Sequence, residues 1–303
     1  MEYILKTNLL TKQFRQQKAV DGVSLQIERG AIYGLIGRNG AGKTTFLRMI
    51  AGLASPTSGE IELMGIPSTK KSIRSAFERV GCLIEQPGIY NNLSAFENCK
   101  LKAMNSGVYS KKYVEEKLAL VGLSHVGNKA AGQFSLGMKQ RLGIALALIG
   151  EPDLLILDEP INGLDPQGII EMRDIIHQVN RDQRITVLIS SHILEELSKI
   201  ATHYGIIHEG RLIEQLSSEE LMDKCAAKLV IVTDTPEKAC TVLDTLGGIE
   251  YKVADKQTIY LSNHLDDAAA INMALCCAGV AVQAIGKKNE SLEDYFVGLI
   301  HKA

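Results

Sequence analysis

The sequence predicts an α/β domain over residues 1–221, carrying a helical insertion at about 92–150, and a small α+β domain over 222–303. Three observations carry this prediction. The glycine-rich segment Gly37–Thr44 lies between a short apolar run and a run with helical spacing of its apolar residues. A second apolar run, Leu154–Leu157, delivers two adjacent carboxylates, Asp158 and Glu159. Beyond residue 222 the segments read strand, helix, strand, strand, helix, strand.

Residues 3–30 read as strands and turns, ending in the period-2 pattern Val23–Ile27. Phe14 lies in this stretch, and on its own it reads as a core aromatic. Ala31–Ile36 is short, apolar and strand-like, and Gly37–Thr44 then matches G-x-x-x-x-G-K-[ST] without a gap. Gly37, Gly40 and Gly42, with Asn39 and Ala41 between them, let backbone N–H groups curl around phosphates. The helix opened by Thr44 and Thr45 adds its N-terminal dipole. Lys43 can reach the β- and γ-phosphates of a nucleotide, and the Thr44 hydroxyl can ligate Mg²⁺.

Gly59–Leu63 is a strand after the turn Ser55–Ser58, and Val80–Ile84 is a further apolar strand leading into Glu85-Gln86-Pro87-Gly88. From about Asn92 to Gly150 the pattern turns helical, with Tyr113, Lys117, Leu120 and Val121 on one spacing and helix formers over 137–148. Leu154–Leu157 is a continuous apolar run, as expected of a strand covered on both faces of a parallel sheet. Burying Asp158 and Glu159 at its tip is costly, and metal and proton chemistry accounts for them better than structure does. Asn162–Pro166 forms a turn, a helix runs to about Asp182, and Ile185–Ile189 is the next strand. It ends in Ser190-Ser191-His192, which places an imidazole just beyond a parallel strand and beside the phosphate loop.

Composition narrows the classes. The 303 residues are 46% hydrophobic and 22% charged, with a net charge of −2 and mixed signs, which argues against general nucleic-acid binding. The six cysteines form no metal or CxxC pattern and are expected to be buried and reduced, as in a cytosolic protein. The N-terminus lacks a signal-peptide layout. The most apolar region, Gly143–Leu157, is broken by Glu151-Pro152-Asp153, so membrane work would need another subunit to span the bilayer.

Taken together, the motifs over about residues 3–220 resemble the nucleotide-binding subunit of ABC transporters. Gly37–Thr44 is similar to Walker A, Leu154–Glu159 to Walker B with its following glutamate, Gly163-Leu164-Asp165 to the D-loop and His192 to the switch histidine. Phe14 falls where that family stacks an aromatic on adenine. Phe134–Met138 stands at the signature, with Phe134, Leu136 and Met138 departing from it and Ser135 and Gly137 kept. The resemblance implies that Ser135 and Gly137 donate to the γ-phosphate of a second copy in a head-to-tail homodimer. It further implies that Asp158 orders the Mg²⁺ shell, that Glu159 is the general base and that His192 contacts the γ-phosphate.

The family's Q-loop glutamine falls on Glu85, with Gln86 filling the role if the loop shifts by one residue. A glutamate there would be a metal ligand as well as a catalytic group. Together with Ser-Leu-Gly-Met-Lys it resembles the bacitracin and lantibiotic branch of antimicrobial-peptide exporters. That resemblance implies ATP and Mg²⁺ as ligands, a separate transmembrane permease as partner and a location on the inner face of the cell membrane. The rival classes are an ATPase of this type exporting another substrate, or a non-transport relative in DNA repair or translation. One cassette without a heptad run or basic arm disfavours the latter.

In the C-terminal part, Lys228–Thr233, Glu250–Ala254, Thr258–Ser262 and Val280–Ile285 read as strands. Pro236–Leu246, Ala268–Ala278 and Leu292–Ile300 read as helices. This order resembles a ferredoxin-like unit, read as a packing or dimer-bracing appendage in preference to a ligand sensor.

Overall fold

The computed structural model describes residues 2–288 and 291–300. It divides into two compact units, 1–218 and 219–303.

The first unit runs β1 (Tyr3–Phe14), β2 (Gln17–Val23), β3 (Gln26–Glu28), β4 (Ile32–Ile36), α1 (Lys43–Ile50), β5 (Ser58–Leu63), β6 (Ile66–Pro67), α2 (Ile73–Glu78) and β7 (Val80–Leu83). The helical segment follows as α3 (Ala95–Asn105), α4 (Lys111–Leu120) and α5 (Leu136–Ala147). β8 (Leu154–Asp158), α6 (Pro166–Gln183), β9 (Thr186–Ser191), α7 (Leu194–Ser198), β10 (His203–His208) and β11 (Arg211–Ser217) complete it.

Two sheets form. β2, β1, β5 and β6 pair in that order, antiparallel, with β3 also on β1. The other sheet has the order β11-β10-β4-β9-β8-β7, parallel except for the β10–β11 hairpin. Its central strands β4, β8 and β9 are buried at every residue, as their unbroken apolar runs require. α1 turns Phe46, Leu47, Met49 and Ile50 into one core shared with Ile4 and Leu5 of β1, Leu35 of β4 and Leu188 of β9. The helical segment is anchored by capping. Ser94 and Glu97 form a reciprocal capping box on α3, Ser110 caps α4, and Ser135 caps α5 by accepting from the Met138 amide.

The second unit holds all but the first residue of α8 (Ser218–Cys225), followed by β12 (Lys228–Thr233), α9 (Pro236–Leu246), β13 (Tyr251–Val253), β14 (Thr258–Leu261), α10 (Ala268–Cys277), β15 (Val282–Lys288) and α11 (Leu292–Ile300). Its sheet order is β13-β14-β12-β15, antiparallel throughout. Ala239 and Leu243 of α9 and Ile271 and Leu275 of α10 pack on Leu229, Ile231, Ile259 and Leu261 of the sheet. The expected strand Val280–Ile285 begins later, at Val282. Val280 is still tied to α10, its amide donating to the Leu275 carbonyl beyond the positive-φ residue Gly279.

The cysteines correct an expectation. Of the six only Cys99 is buried, its thiol pushed up to about 12 by burial. Cys276 and Cys277 are exposed, because Ile271 and Leu275, four residues apart, take the core-facing side of α10.

Leu188→Ala in the fully buried β9 is expected to lower the stability of the first unit by ~2–5 kcal/mol. Denaturant titration against wild type checks this.

Candidate functional site

The phosphate loop connects β4 to α1, and its backbone enforces its glycines. Gly40 and Gly42 take φ of 82° and 104°, and a Cβ on Gly42 would lie 2.3 Å from the Ala19 carbonyl oxygen of β2. The amide of Gly210, in the β10–β11 turn, donates to the Ala41 carbonyl at 2.9 Å, and the Gly210 carbonyl accepts from the Asp21 amide at 2.8 Å. The loop is therefore clamped between β2 and that turn. Asp21 is itself held below the usual carboxylate range, first by Lys18 and then by Arg211, which ties the turn to β2 electrostatically.

A cavity of about 670 Å³ opens over the loop. Phe14, Asn39, Gly40, Ala41, Gly42, Lys43, Thr44, Thr45 and Glu159 of the sequence-read set line it. Phe14 is 55% exposed, which removes the core-aromatic alternative, and the Lys12 ammonium lies 5.2 Å from its ring centroid. Sequence reasoning missed Gln17, Lys18, Arg38 and Glu209, which also line the cavity. Arg38 is a variable position inside the phosphate-loop motif, whereas Gln17 and Lys18 open β2 and Glu209 sits in the β10–β11 turn, where no motif marks them and only the strand pairing brings them to the loop.

At the floor, β8 and β9 are in register with Asp158 opposite Ser190. Asp158 Oδ1 accepts from the Ser190 hydroxyl at 2.5 Å, and Oδ2 accepts from the Thr44 hydroxyl at 2.7 Å. Asp158 is only 5% exposed, so both bonds act where water competes little. Ser190 also accepts the Glu159 amide, through both its hydroxyl and its carbonyl. This bond fixes Glu159 in a left-handed conformation with φ of 50°, a region in which strained functional residues cluster. Ser190 stood in the sequence beside His192 without a motif to mark it.

Lys43 is 6% exposed and donates to the Gly37 carbonyl at 2.7 Å. Its ammonium also lies 3.0 Å from Glu159 Oε1, and Glu159 Oε2 lies 2.8 Å from His192 Nδ1. His192, Glu159 and Lys43 thus form one chain of contacts beside the phosphate loop. A phosphate-sized anion entering here meets Lys43 and the loop amides, with Glu159 as the carboxylate it displaces.

The remaining sequence-read residues lie off the cavity lining. Ser135 caps α5 and Asp165 caps α6 by accepting from the Gly168 amide. Gly137 abuts Leu164, its added Cβ falling 3.6 Å from that side chain. Glu85 sits at φ of 63° with its carboxylate 3.0 Å from Arg48 Nη2 on α1, and Gln86 is exposed. Gly37 lies behind the loop, where a Cβ would meet the Ile207 carbonyl at 2.6 Å.

Thr44 and Asp158 are hard oxygen donors at one point, which suits Mg²⁺ better than a softer ion. Among the described residues no group of three or more His, Cys, Asp or Glu side chains forms a metal cage. A cation here would therefore depend on phosphate oxygens and water for most of its shell, as Mg²⁺ does in nucleotide sites.

Residues 20–162 match the ABC transporter family model. The chain is 44% identical to the bacitracin transport ATP-binding protein BcrA of Bacillus licheniformis, over 99% of this chain and 98% of that protein. It is 44% identical to the lantibiotic transport ATP-binding protein SrtF of Streptococcus pyogenes, over 69% of this chain and 89% of that one. Among solved structures it is similar to cbiO1 of Clostridium perfringens, part of the ABC transporter complex cbiONQ. The TM-score is 0.66 at 29% identity, covering 73% of this chain and 91% of that one.

Gly42→Ala is expected to lose nucleotide binding by at least about tenfold, since the strained φ and the Ala19 carbonyl both oppose a methyl group there. Equilibrium titration with a fluorescent ATP analogue checks this.

Proposed function

The chain belongs to the ABC transporter family as an ATP-binding, ATP-hydrolysing subunit, and on that premise we propose that it powers export of a peptide antibiotic of bacitracin or lantibiotic type. The observation that carries the catalytic part is the contact chain Lys43–Glu159–His192 beside the Thr44–Asp158 bond. The names of the similar proteins support the substrate class. The same names support a separate membrane-spanning permease as partner and a place on the inner membrane face. No helix among the described residues is long and apolar enough to cross a membrane.

In this reading the adenine stacks on Phe14 and the phosphates lie along Gly37–Thr45. Lys43 exchanges the Glu159 carboxylate for a phosphate oxygen. Thr44 and Asp158 would hold Mg²⁺, which supplies charge neutralisation on the β- and γ-phosphates. Glu159, released from Lys43, accepts a proton from the attacking water, and His192 stays within reach of Glu159 and the γ-phosphate. Glu85 would add a second carboxylate to the metal side of the site. Ser135, Gly137 and Asp165 lie off the cavity lining of their own chain, which supports their service to a second copy packed head to tail. ATP closes that dimer, and hydrolysis reopens it.

For residues 222–303 the all-antiparallel order β13-β14-β12-β15, with two helices on one face, supports a ferredoxin-like unit acting as a brace.

Glu159→Gln should bind Mg²⁺-ATP, stop turnover and accumulate as a dimer in size-exclusion chromatography. A monomer hydrolysing at the wild-type rate contradicts the role of Glu159. Glu85→Ala should weaken Mg²⁺-dependent ATPase by roughly tenfold or more while Gln86→Ala stays near wild type, an effect of about 1.4 kcal/mol. The reverse pattern moves the role to Gln86.

A further inference from the structure

Arg48 belongs to none of the sequence motifs, yet it is the side chain that holds Glu85 in this structure, with Nη2 3.0 Å from Oε1. It lies on α1 four residues after Thr44, so the two side chains share one helix face a single turn apart. Glu85 is therefore tied to a side chain rooted one helical turn, ~5.4 Å along the axis, from the residue whose hydroxyl would ligate Mg²⁺. Both partners are half exposed, at 48% and 55%, so the pair is weak enough to trade. Glu85 also occupies φ of 63°, a conformation that an L residue keeps only while its surroundings hold it there. Meanwhile the Thr44 hydroxyl is engaged by Asp158.

We infer that Arg48 is a positioning residue, parking Glu85 one turn from the metal side of the site until Mg²⁺-nucleotide arrives. The inference rests on the role proposed above for Glu85. Parking keeps a third carboxylate away from Asp158 and Glu159 while no metal is there to neutralise them. The cation arriving at Thr44 and Asp158 then competes with Arg48 for the Glu85 carboxylate. Arg48 thereby sets the Mg²⁺ concentration at which the site closes.

The test titrates Mg²⁺ against binding of a fluorescent, non-hydrolysable ATP analogue, using wild type, Arg48→Ala, Arg48→Lys, Glu85→Gln and Arg48→Ala/Glu85→Gln. Arg48→Ala should lower the half-saturating Mg²⁺ roughly two- to fivefold, as expected for release of an exposed ion pair. Arg48→Lys should restore most of the wild-type value. In the Glu85→Gln background Arg48→Ala should have no effect, because the parked charge is gone. An equal shift in that background would mean that Arg48 acts only through its field, and the inference falls. A Glu85→Gln protein with wild-type Mg²⁺ demand removes the role of Glu85 itself. Normal Glu85 behaviour with no Arg48 effect removes only the parking. Hydrogen exchange on the nucleotide-free protein gives a second readout. Arg48→Ala should speed exchange at residues 84–88 while leaving the core of α1 unchanged, and unchanged exchange at 84–88 overturns the inference.

Discussion

The structure depends on the parallel register of β8 against β9, which sets Asp158 opposite Ser190, and on the phosphate loop that brings Thr44 to the same point. A shift of one residue along β8 would turn Asp158 to the other face of the sheet and put an apolar residue at the loop. Both strands are buried along their whole length, with apolar residues on both faces of β8, so it is the polar contacts of Asp158 that distinguish this register from its neighbours. Burial strengthens the two bonds to Asp158, and the same burial makes losing either partner expensive. Packing and chemistry thus specify one alignment.

Lys43 illustrates the electrostatic consequence. An ammonium only 6% exposed needs a counter-charge, and Glu159 supplies it at 3.0 Å. The left-handed backbone of Glu159, tied through its amide to Ser190, keeps the carboxylate beside both Lys43 and His192.

Much of this was legible in the sequence because the phosphate loop and the Asp158-Glu159 pair are local patterns. Their residues are contiguous, and the apolar runs before them fix the strands that carry them. Ser190 was not legible, since its role arises only from the pairing of two strands separated by α6. Gln17, Lys18 and Glu209 reach the cavity because β2 and the β10–β11 turn clamp the loop, and no periodicity reports that contact. Arg48 had no motif to mark it, because its partner lies across a turn whose backbone the residue types did not reveal. The exposed Cys276 and Cys277 show the opposite failure: an apolar composition in α10 hid which face met the sheet.

The central claim is that the loop amides and Lys43 grip phosphate on their own, while Asp158 governs only the contribution of Mg²⁺. Asp158→Asn keeps the shape of the side chain and removes its charge. The most direct measurement is the affinity of the folded variant for a fluorescent ATP analogue, once in excess chelator and once in saturating Mg²⁺. The account predicts wild-type affinity in chelator and loss of the Mg²⁺-dependent gain. Affinity that falls equally in both conditions, or a Mg²⁺ gain that survives intact, would contradict it.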